Sequence, residues 1–491
     1  MKVRWFVAGA ALAMVGLGLG VTWISTVPTV WALVLLAGAL SGVPFSIAVV
    51  RHEFNVFEPV YLFAVSYLVL FALHPAAELI VSGGTPVFVG YAVEPTYVTA
   101  LLIGAVGAIL FYAGYYLPLG RHLGKRLPLA REKWSKASLT IFTIVCLLVS
   151  MGALTIFLLV NGGLSTLGAF LNGRSAVSVR ALQQSSGYLY SAPLFLAPIG
   201  ILILCLSGRR WRAGALLGLL LVALSQVLTI GMGDRSWTLP TVASLFLVWY
   251  LRRDRRPRLS VVAIALVLTF VFGVTLPRQY RNPEARNSSL AELLIGDVRS
   301  PGQAFQDFFA QSDTAMVDGL AVELQFVPDS ISYQLGRTYV EAASRPIPRA
   351  LWTDKPRAAE VQLMATIWPQ LATAGVQFYF SLFGEPYLNF GLLGVIAISL
   401  LFGLFWRALY AWFARAPTNP FVMSLYALSW PFLFVYMRGG IGADYQRHAI
   451  YVLPVLAAYL FVRRGQTHDA PSEVLAQAPV NSMVLRHEAG A

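Results

Sequence analysis

The sequence predicts an all-α polytopic membrane protein with about twelve transmembrane helices. Apolar residues make up 57% of the 491 residues and charged residues only 12%, about half the charged share of a typical soluble domain. The apolar residues also recur in runs of about 20, the length that an α-helix needs to cross a bilayer. These observations exclude a soluble globular protein and predict one polytopic membrane domain over residues 1–464.

Hydropathy and helix-breaking residues place the boundaries of the predicted helices. The spans are 5–24, 29–50, 57–80, 96–119, 138–160, 191–207, 213–230, 238–251, 259–276, 388–407, 419–436 and 449–463. The basic, apolar N-terminus is similar to a signal peptide, but more spans follow at once, so it is interpreted as an uncleaved first helix. The polar tail, residues 465–491, is predicted to be cytoplasmic and disordered. Cys146 and Cys205 both lie in apolar spans, which indicates packing rather than a disulfide or a zinc site.

Short basic loops set the orientation of the spans. These loops are 121–136, 208–214 and 251–258. Alternation of the spans puts all three on one side together with Met1 and the tail, and loops rich in Lys and Arg remain in the cytoplasm. The external gaps of interest are then 161–190, 231–237 and 277–387, and the last of these is one large external loop.

The basic residues predicted to lie outside are numerous and, with one exception, arginine. They are Arg174, Arg180, Arg235, Arg278, Arg281, Arg286, Arg299, Arg337, Arg345, Arg349, Lys355, Arg357, Arg438 and Arg447. Retention of positive charge in the cytoplasm predicts few basic residues on this face. Because arginine forms paired hydrogen bonds to phosphate or carboxylate and stays charged when partly desolvated, the external face is predicted to hold an anion. Salt bridges within the acid-rich loop 277–387 are the structural alternative for many of these arginines.

The large external loop carries helical patterns of its own. Ser289 and Glu292 have the spacing of a capping box. Further along, Phe305, Phe308 and Met316 recur at helical spacing, with acidic residues between them. Two or three short amphipathic helices are therefore expected to lie over the membrane domain.

Short polar stretches border several of the later spans. They are GMGDRSW (231–237), GRTYVEAASRPIPRALWTDKPRAAE (336–360), FSLFGEPYLNFGLLG (380–394) and YMRGGIGADYQRH (436–448). Ionisable residues at bilayer depth are costly and tend to mark function, although an Asp–Arg pair that closes a turn is the structural alternative. The glycines beside them permit tight backbone paths at the membrane surface.

Together these stretches resemble the oligosaccharide repeat-unit polymerases, the Wzy-type O-antigen polymerases. The likeness rests on three blocks: Gly233-Asp234-Arg235 after a middle span, the "iPRaLW…KP" pattern from Ile347 to Pro356, and the "GE.Y.NFG" pattern from Gly384 to Gly391. It also rests on about twelve spans with one large external loop late in the chain. The likeness covers most of the membrane domain.

The resemblance implies a metal-independent, membrane-embedded glycosyltransferase of the GT-C-like type, which acts on the periplasmic face of the bacterial inner membrane. It implies a growing glycan on undecaprenyl pyrophosphate as the donor. The acceptor is the sugar of a single repeat unit on a second polyprenyl pyrophosphate. No cofactor, metal or nucleic acid is implied, whereas membrane lipids and a chain-length regulator protein are implied as partners.

Such a reaction needs positive groups and a base. Positive groups aimed at the departing pyrophosphate lower the barrier by about 3 kcal/mol for each well-placed donor. The residues predicted to bind the pyrophosphate or the substrate are Arg235, Arg278, Arg281, Arg337, Arg349, Lys355, Arg438, Arg447 and Tyr387. The acceptor hydroxyl must lose a proton, and the candidate catalytic residues are Glu385, Asp444, His448 and Asp234. Glu385 and Asp444 are expected to face one cavity, and Asp444 is expected to orient the imidazole of His448 at i, i+4.

Other functions fit parts of the same pattern. An O-antigen ligase uses the same donor and would share the arginines, but it transfers the glycan to a different acceptor. A flippase for lipid-linked sugars suits twelve spans, yet it would line its interior with cations, whereas these cations concentrate on one predicted face. A purely structural scaffold leaves the external arginines unexplained.

Overall fold

The computed structural model describes most of the predicted membrane domain. The described residues are 28–130, 134–163, 165, 189, 191–207, 212–231, 235–253, 261, 314–345, 347, 352, 354, 358–373 and 378–464. The predicted span 5–24, all of 259–276 except residue 261, and the tail lie outside the described residues. The capping box at Ser289 and the helical pattern at Phe305 and Phe308 also lie outside them.

The described chain is built from α-helices, with one two-stranded antiparallel hairpin formed by β1 (Val87–Phe88) and β2 (Tyr91–Ala92). The helices are α1 (Pro28–Arg51), α2 (Pro59–Leu68), α3 (His74–Val81), α4 (Glu94–Tyr116), α5 (Pro118–Arg126), α6 (Lys136–Val160), α7 (Leu196–Leu206), α8 (Arg212–Gly231), α9 (Arg235–Leu251), α10 (Met316–Phe326), α11 (Arg337–Ser344), α12 (Ala359–Ile367), α13 (Pro369–Thr373), α14 (Ser381–Phe413), α15 (Pro420–Ser429), α16 (Phe432–Gly439) and α17 (Ile441–Arg464). A π-helical turn, Val69–Leu73, joins α2 to α3, and a 3₁₀ turn, Ala192–Phe195, precedes α7.

Six helical stretches within the described ranges are long and apolar enough to cross a membrane. They are Thr29–Arg51, Pro59–Val81, Glu94–Tyr116, Lys136–Val160, Ser381–Phe413 and Pro420–Gly439. Three shorter apolar helices, Ala192–Leu206, Arg212–Val227 and Trp237–Leu251, coincide with further predicted spans. The all-α prediction is confirmed, whereas the number of about twelve spans stays a prediction.

The helix α14 begins earlier than the sequence predicted. The sequence predicted a span from residue 388 and a loop up to residue 387, but the helix begins at Ser381. It is broken at Phe390 and Gly391, where Gly391 has φ +61° and ψ −148°. Glu385 therefore lies on a short helical segment that the break separates from the longer part of α14, and the loop predicted over 277–387 ends before Ser381.

Close backbone packing holds α14 against α4. A Cβ atom at Gly403 would lie 2.1 Å from the Phe111 carbonyl oxygen, and one at Gly114 would lie 2.1 Å from the Leu400 carbonyl oxygen. Small residues allow membrane helices to approach in this way, which increases the dispersion contacts between them. The glycine pair therefore fixes how α14, and the polar segment at its N-terminal end, sits against the rest of the domain.

Replacement of Gly403 by valine is expected to destabilise the folded protein. The new side chain meets the α4 backbone, which cannot move aside cheaply, and overpacking of this kind costs roughly 1–3 kcal/mol or more. Gly152→Val is the matched control, because Gly152 lies in an apolar helix and a Cβ atom added there would meet nothing within 4 Å. Thermal unfolding of the detergent-purified variants checks the prediction, and equal midpoints for the two would contradict it.

Polar contacts fix the other end of α14. Arg407 Nη1 lies 2.7 Å from Glu58 Oε1, and Tyr115 Oη donates to the same oxygen at 2.9 Å. Nearby, Trp412 Nε1 donates to the Pro128 carbonyl oxygen at 2.9 Å. Residues that the alternation of spans assigns to one face thus meet at one end of α14, and Glu385 lies towards the opposite end.

The helix α10 lies inside the domain instead of over it. Residues 316–323 are all buried, against α4 on one side and α14 on the other. Asp318 Oδ2 lies 2.8 Å from His74 Nε2, and Thr96 Oγ1 donates to the Ala321 carbonyl oxygen at 2.6 Å. The expectation of an amphipathic helix on the surface is wrong here, because residues 316–323 are buried and both acidic residues face other helices.

Candidate active site

A glycine-rich turn joins α16 to α17 at the end of the domain where Glu385 lies. We call it the 439–442 turn. Gly440 has φ +89°, a conformation that favours glycine. A Cβ at Gly439 would lie 1.8 Å from Asp444 Oδ2, and one at Gly442 would lie 2.1 Å from Glu385 Oε1. The glycines therefore allow two carboxylates to approach the backbone of one turn from different helices.

Glu385 is held by donors from two other elements. Its side chain is buried, with the residue 5% exposed. Thr338 Oγ1 on α11 donates to Oε1 at 3.2 Å, and the backbone N–H of Gly442 donates to Oε2 at 2.8 Å. Asn389 Nδ2 donates to Thr338 Oγ1 at 2.7 Å, which orients that hydroxyl towards the carboxylate. Two donors aimed at one carboxylate stabilise its negative charge.

Asp444 is paired with an arginine instead of a histidine. The residue is 1% exposed, and Arg447 Nη1 lies 2.7 Å from its Oδ1. His448 Nδ1 instead forms a hydrogen bond with Tyr436 Oη at 2.9 Å, and its ring stacks on Phe432 with centroids 4.7 Å apart. The expectation that Asp444 orients His448 is therefore wrong, because α16 supplies the partners of the imidazole.

Tyr379 brings two guanidinium groups together beside the turn. The Cζ atom of Arg438 lies 5.0 Å from the centroid of the Tyr379 ring, within reach of a cation–π interaction. Both terminal nitrogens of Arg447 lie 3.4 Å from Tyr379 Oη, and the Arg447 side chain remains 27% exposed. Two positive groups thus flank one aromatic ring next to the two buried carboxylates.

The sequence that forms this arrangement can be compared with known protein families. The family model "O-antigen polysaccharide polymerase Wzy" matches residues 12–464. The chain belongs to the Wzy family of O-antigen polysaccharide polymerases. No curated protein and no solved structure matches the chain.

Membership of the Wzy family confirms the resemblance seen in the sequence. It makes the chain a multi-pass membrane protein with glycosyltransferase-like polymerase activity on lipid-linked oligosaccharide repeat units. The matched residues include α10, α14 and the 439–442 turn. The candidate site thus lies within the part of the chain that defines the family.

One of the arginines predicted to lie outside has a structural role in this Wzy protein. Arg345 Nε lies 3.1 Å from both carboxylate oxygens of Glu341, one turn earlier on the same helix. Its Nη1 donates to the Ala443 carbonyl oxygen at 2.9 Å, and Tyr445 Oη donates to the Ala342 carbonyl oxygen. These bonds tie α11, which carries Thr338, to the start of α17.

The other predicted residues are not all brought to the turn. Arg337 is exposed at the start of α11, and it forms no ion pair with any residue that the structure describes. Tyr387 packs against Tyr333, with ring centroids 6.2 Å apart. Arg235 begins α9, but its side chain is not among those described. Asp234, Arg278, Arg281, Arg349 and Lys355 lie outside the described residues.

Sequence reasoning missed two residues of the site. Tyr379 gave no signal, because it lies between two other aromatic residues, Phe378 and Phe380, in an apolar stretch that is typical of packing. Glu323 on α10 is fully buried, and within the described ranges neither of its carboxylate oxygens has a hydrogen-bond partner. A Cβ at Gly384 would lie 2.5 Å from Glu323 Oε2. The apolar residues on every side of this glutamate were an available signal, because they indicate a helix that is buried all round.

The cluster offers buried carboxylates and positive groups in one place. Among the described side chains, no group of three or more His, Cys, Asp or Glu is arranged to hold a metal ion. A carboxylate held by two donors can accept a proton. Guanidinium groups can bind phosphate oxygens through paired hydrogen bonds. Chemically, the arrangement suits transfer of a glycosyl group from a phosphate leaving group to a hydroxyl group.

Proposed function

We propose that this Wzy protein transfers a growing glycan from polyprenyl pyrophosphate to the sugar of a new lipid-linked repeat unit at the 439–442 turn. The observation that carries the proposal is the convergence of Arg438 and Arg447 on Tyr379, beside the buried Glu385. We place the reaction on the periplasmic face of the bacterial inner membrane, where the alternation of spans puts this turn.

Arg438 and Arg447 stabilise the leaving group in this proposal. The bond between the anomeric carbon and the pyrophosphate oxygen breaks, and the electron pair remains on the pyrophosphate. Positive groups fixed beside that charge lower the barrier without reorganising at the moment of reaction. Asp444 holds Arg447 in place through its ion pair, and the ring of Tyr379 supports Arg438. No metal ion takes part.

Glu385 is the base in this proposal. The acceptor hydroxyl attacks the anomeric carbon, and its proton moves to the Glu385 carboxylate as the new C–O bond forms. Glu385 later returns that proton to solvent. Hydrogen bonds from Thr338 and from the N–H of Gly442 orient the carboxylate and stabilise its negative charge. Of the other candidate bases that the structure describes, His448 is bonded to Tyr436 and Asp444 to Arg447, and we assign the role of base to Glu385.

Incubation of the purified protein with labelled lipid-linked repeat units tests the function. A ladder of polymers is expected, and its yield should be the same with and without EDTA because arginines supply the positive charge. Loss of the ladder in EDTA with recovery on adding a divalent cation would overturn the arginine mechanism. Transfer of glycan to a lipid core without any ladder would indicate a ligase. If a separate regulator protein controls chain length, adding it should narrow the range of polymer lengths in the ladder.

A further inference from the structure

The fully buried Glu323 has no role in the reaction as described so far. It projects from α10 towards the N-terminal segment of α14, where Gly384 leaves room for its Oε2. Glu385 is the next residue along α14 and lies close enough to act on Glu323 through its charge. Two carboxyl groups from different helices are thus neighbours inside the domain, at the site that carries the proposed base.

The two carboxyl groups have very different surroundings. Glu385 receives hydrogen bonds from Thr338 and Gly442. Glu323 is 0% exposed, and the described residues give neither of its oxygens a hydrogen bond or a basic partner. An isolated buried carboxylate is very costly, so such a group takes up a proton instead. Burial raises the pKa of the Glu323 carboxyl well above its usual range, and the charge of Glu385 raises it further.

Among the residues that the structure describes, no basic group acts on Glu323 through its charge. Titratable groups on the elements around the pair include Glu385 and Tyr387 on α14, Tyr97 on α4, and His74 and Glu78 on α3. Tyr339 on α11 is affected by the charge of Glu385. Of these, His74 is already bonded to Asp318, one and a half turns earlier on α10. When the environments of two nearby carboxyls differ this much, one is the acid form and the other the base form.

We propose that Glu323 is a positioning residue for Glu385: it stays protonated, so that the pair carries one negative charge and that charge is on Glu385. The inference rests on the proposed role of Glu385 as the base. Glu323 keeps its proton throughout the transfer, while the proton of the acceptor hydroxyl moves to Glu385. Ionisation of Glu323 would place a second anion beside the first, and the added negative charge would disfavour binding of the anionic donor.

Infrared difference spectroscopy of the purified protein tests the protonation state without any substrate. The wild type is expected to show the carbonyl band of a protonated carboxyl group at neutral pH, and Glu323→Gln should remove that band. In Glu385→Gln the band should remain but titrate at a lower pH, since the neighbouring charge is gone. This second variant keeps the test valid if Glu323→Gln fails to fold. Identical spectra for wild type and Glu323→Gln, or an unshifted titration in Glu385→Gln, would overturn the proposal.

The pH profile of polymerisation separates positioning from a packing role. The wild type should lose activity towards alkaline pH as Glu323 ionises, and Glu323→Gln should lose this alkaline limb while retaining the acid limb. A packing role would instead scale the rate of Glu323→Gln equally at every pH, which would contradict the proposal. Activity that survives in Glu385→Gln would refute the proposed base, whereas a missing infrared band with an inactive Glu385→Gln would refute only the role of Glu323.

The pH dependence of the free energy of unfolding provides a third test of the proposal. Between the ordinary value of 4.5 for a glutamate and the raised pKa in the folded state, the folded protein binds more protons than the unfolded chain. The free energy of unfolding therefore falls as pH rises through this window. Glu323→Gln is expected to remove that decline and to unfold at a higher temperature than wild type at alkaline pH. A decline of equal slope in both proteins would overturn the proposal.

Discussion

Glu385→Gln is expected to lower the rate of polymerisation by roughly 10²–10⁴-fold, the contribution usual for a positioned general base. The amide keeps the size of the side chain. Its oxygen can still accept from the Gly442 N–H, and its NH2 group would then face the Thr338 hydroxyl, which can accept a hydrogen bond. It cannot take the proton of the acceptor hydroxyl. The amount of folded protein in the membrane should be unchanged. The measurement is the initial rate of chain growth on lipid-linked repeat units with purified protein.

The matched control for this substitution is Glu94→Gln. Glu94 lies exposed at the start of α4, so loss of its charge touches no residue of the site. Asp444→Asn provides a useful contrast, because it frees Arg447 and should weaken donor binding more than it slows proton removal. Wild-type rates in Glu385→Gln, together with inactivity of His448→Gln, would transfer the role of base to the histidine.

Arg438→Ala is expected to abolish long-chain glycan while leaving the protein in the membrane. Removal of one well-placed donor to a developing anion costs about 10²–10³-fold in rate. The side chain lies over Tyr379 beside the 439–442 turn, where a pyrophosphate between Arg438 and Arg447 would receive both guanidinium groups. Arg438→Lys keeps the charge but loses the planar fork, so it should recover only part of the activity. Glycan ladders from a host that lacks its own polymerase provide the measurement.

Arg253→Ala is the matched control for this arginine. Its Cζ atom lies 3.4 Å from the centroid of the Trp249 ring, so the substitution also removes a cation–π contact. Arg253 belongs to a loop predicted to be cytoplasmic and should not affect the ladder. A normal ladder in Arg438→Ala would remove the 439–442 turn from the mechanism, because Arg438 is the guanidinium that carries the proposal.

The sequence was sufficient to predict the helices that are uniformly apolar. The predicted spans 57–80, 96–119 and 138–160 correspond closely to Pro59–Val81, Glu94–Tyr116 and Lys136–Val160. The start of α14 was missed because Glu385 and Pro386 give the pattern of a loop. Hydropathy measures the cost of each residue in lipid, but the other helices shield this segment from lipid, so its acidic residue is not exposed to the bilayer.

The site was predictable in its residue types and only partly in its contacts. The glycines of the 439–442 turn and the arginines on either side of it, Arg438 and Arg447, indicated the site directly, because such residues are unusual between two apolar runs. The partner of His448 was not predictable, since i, i+4 spacing on one helix takes no account of the preceding helix, which supplies Tyr436. Glu323 lies 62 residues before Glu385 in the chain, and no local pattern links positions that only tertiary packing brings together.

The enclosure of α10 between α4 and α14 constrains the order in which the protein assembles. During translation α4 is made first, α10 emerges much later, and α14 follows last. Until α14 is made, the segment that packs on Glu323 at Gly384 is not yet present, so under our proposal the carboxyl group can still be ionised. The carboxyl group must be neutralised as α14 docks, which makes proton uptake a step of biogenesis and places completion of the reaction centre at the very end of synthesis.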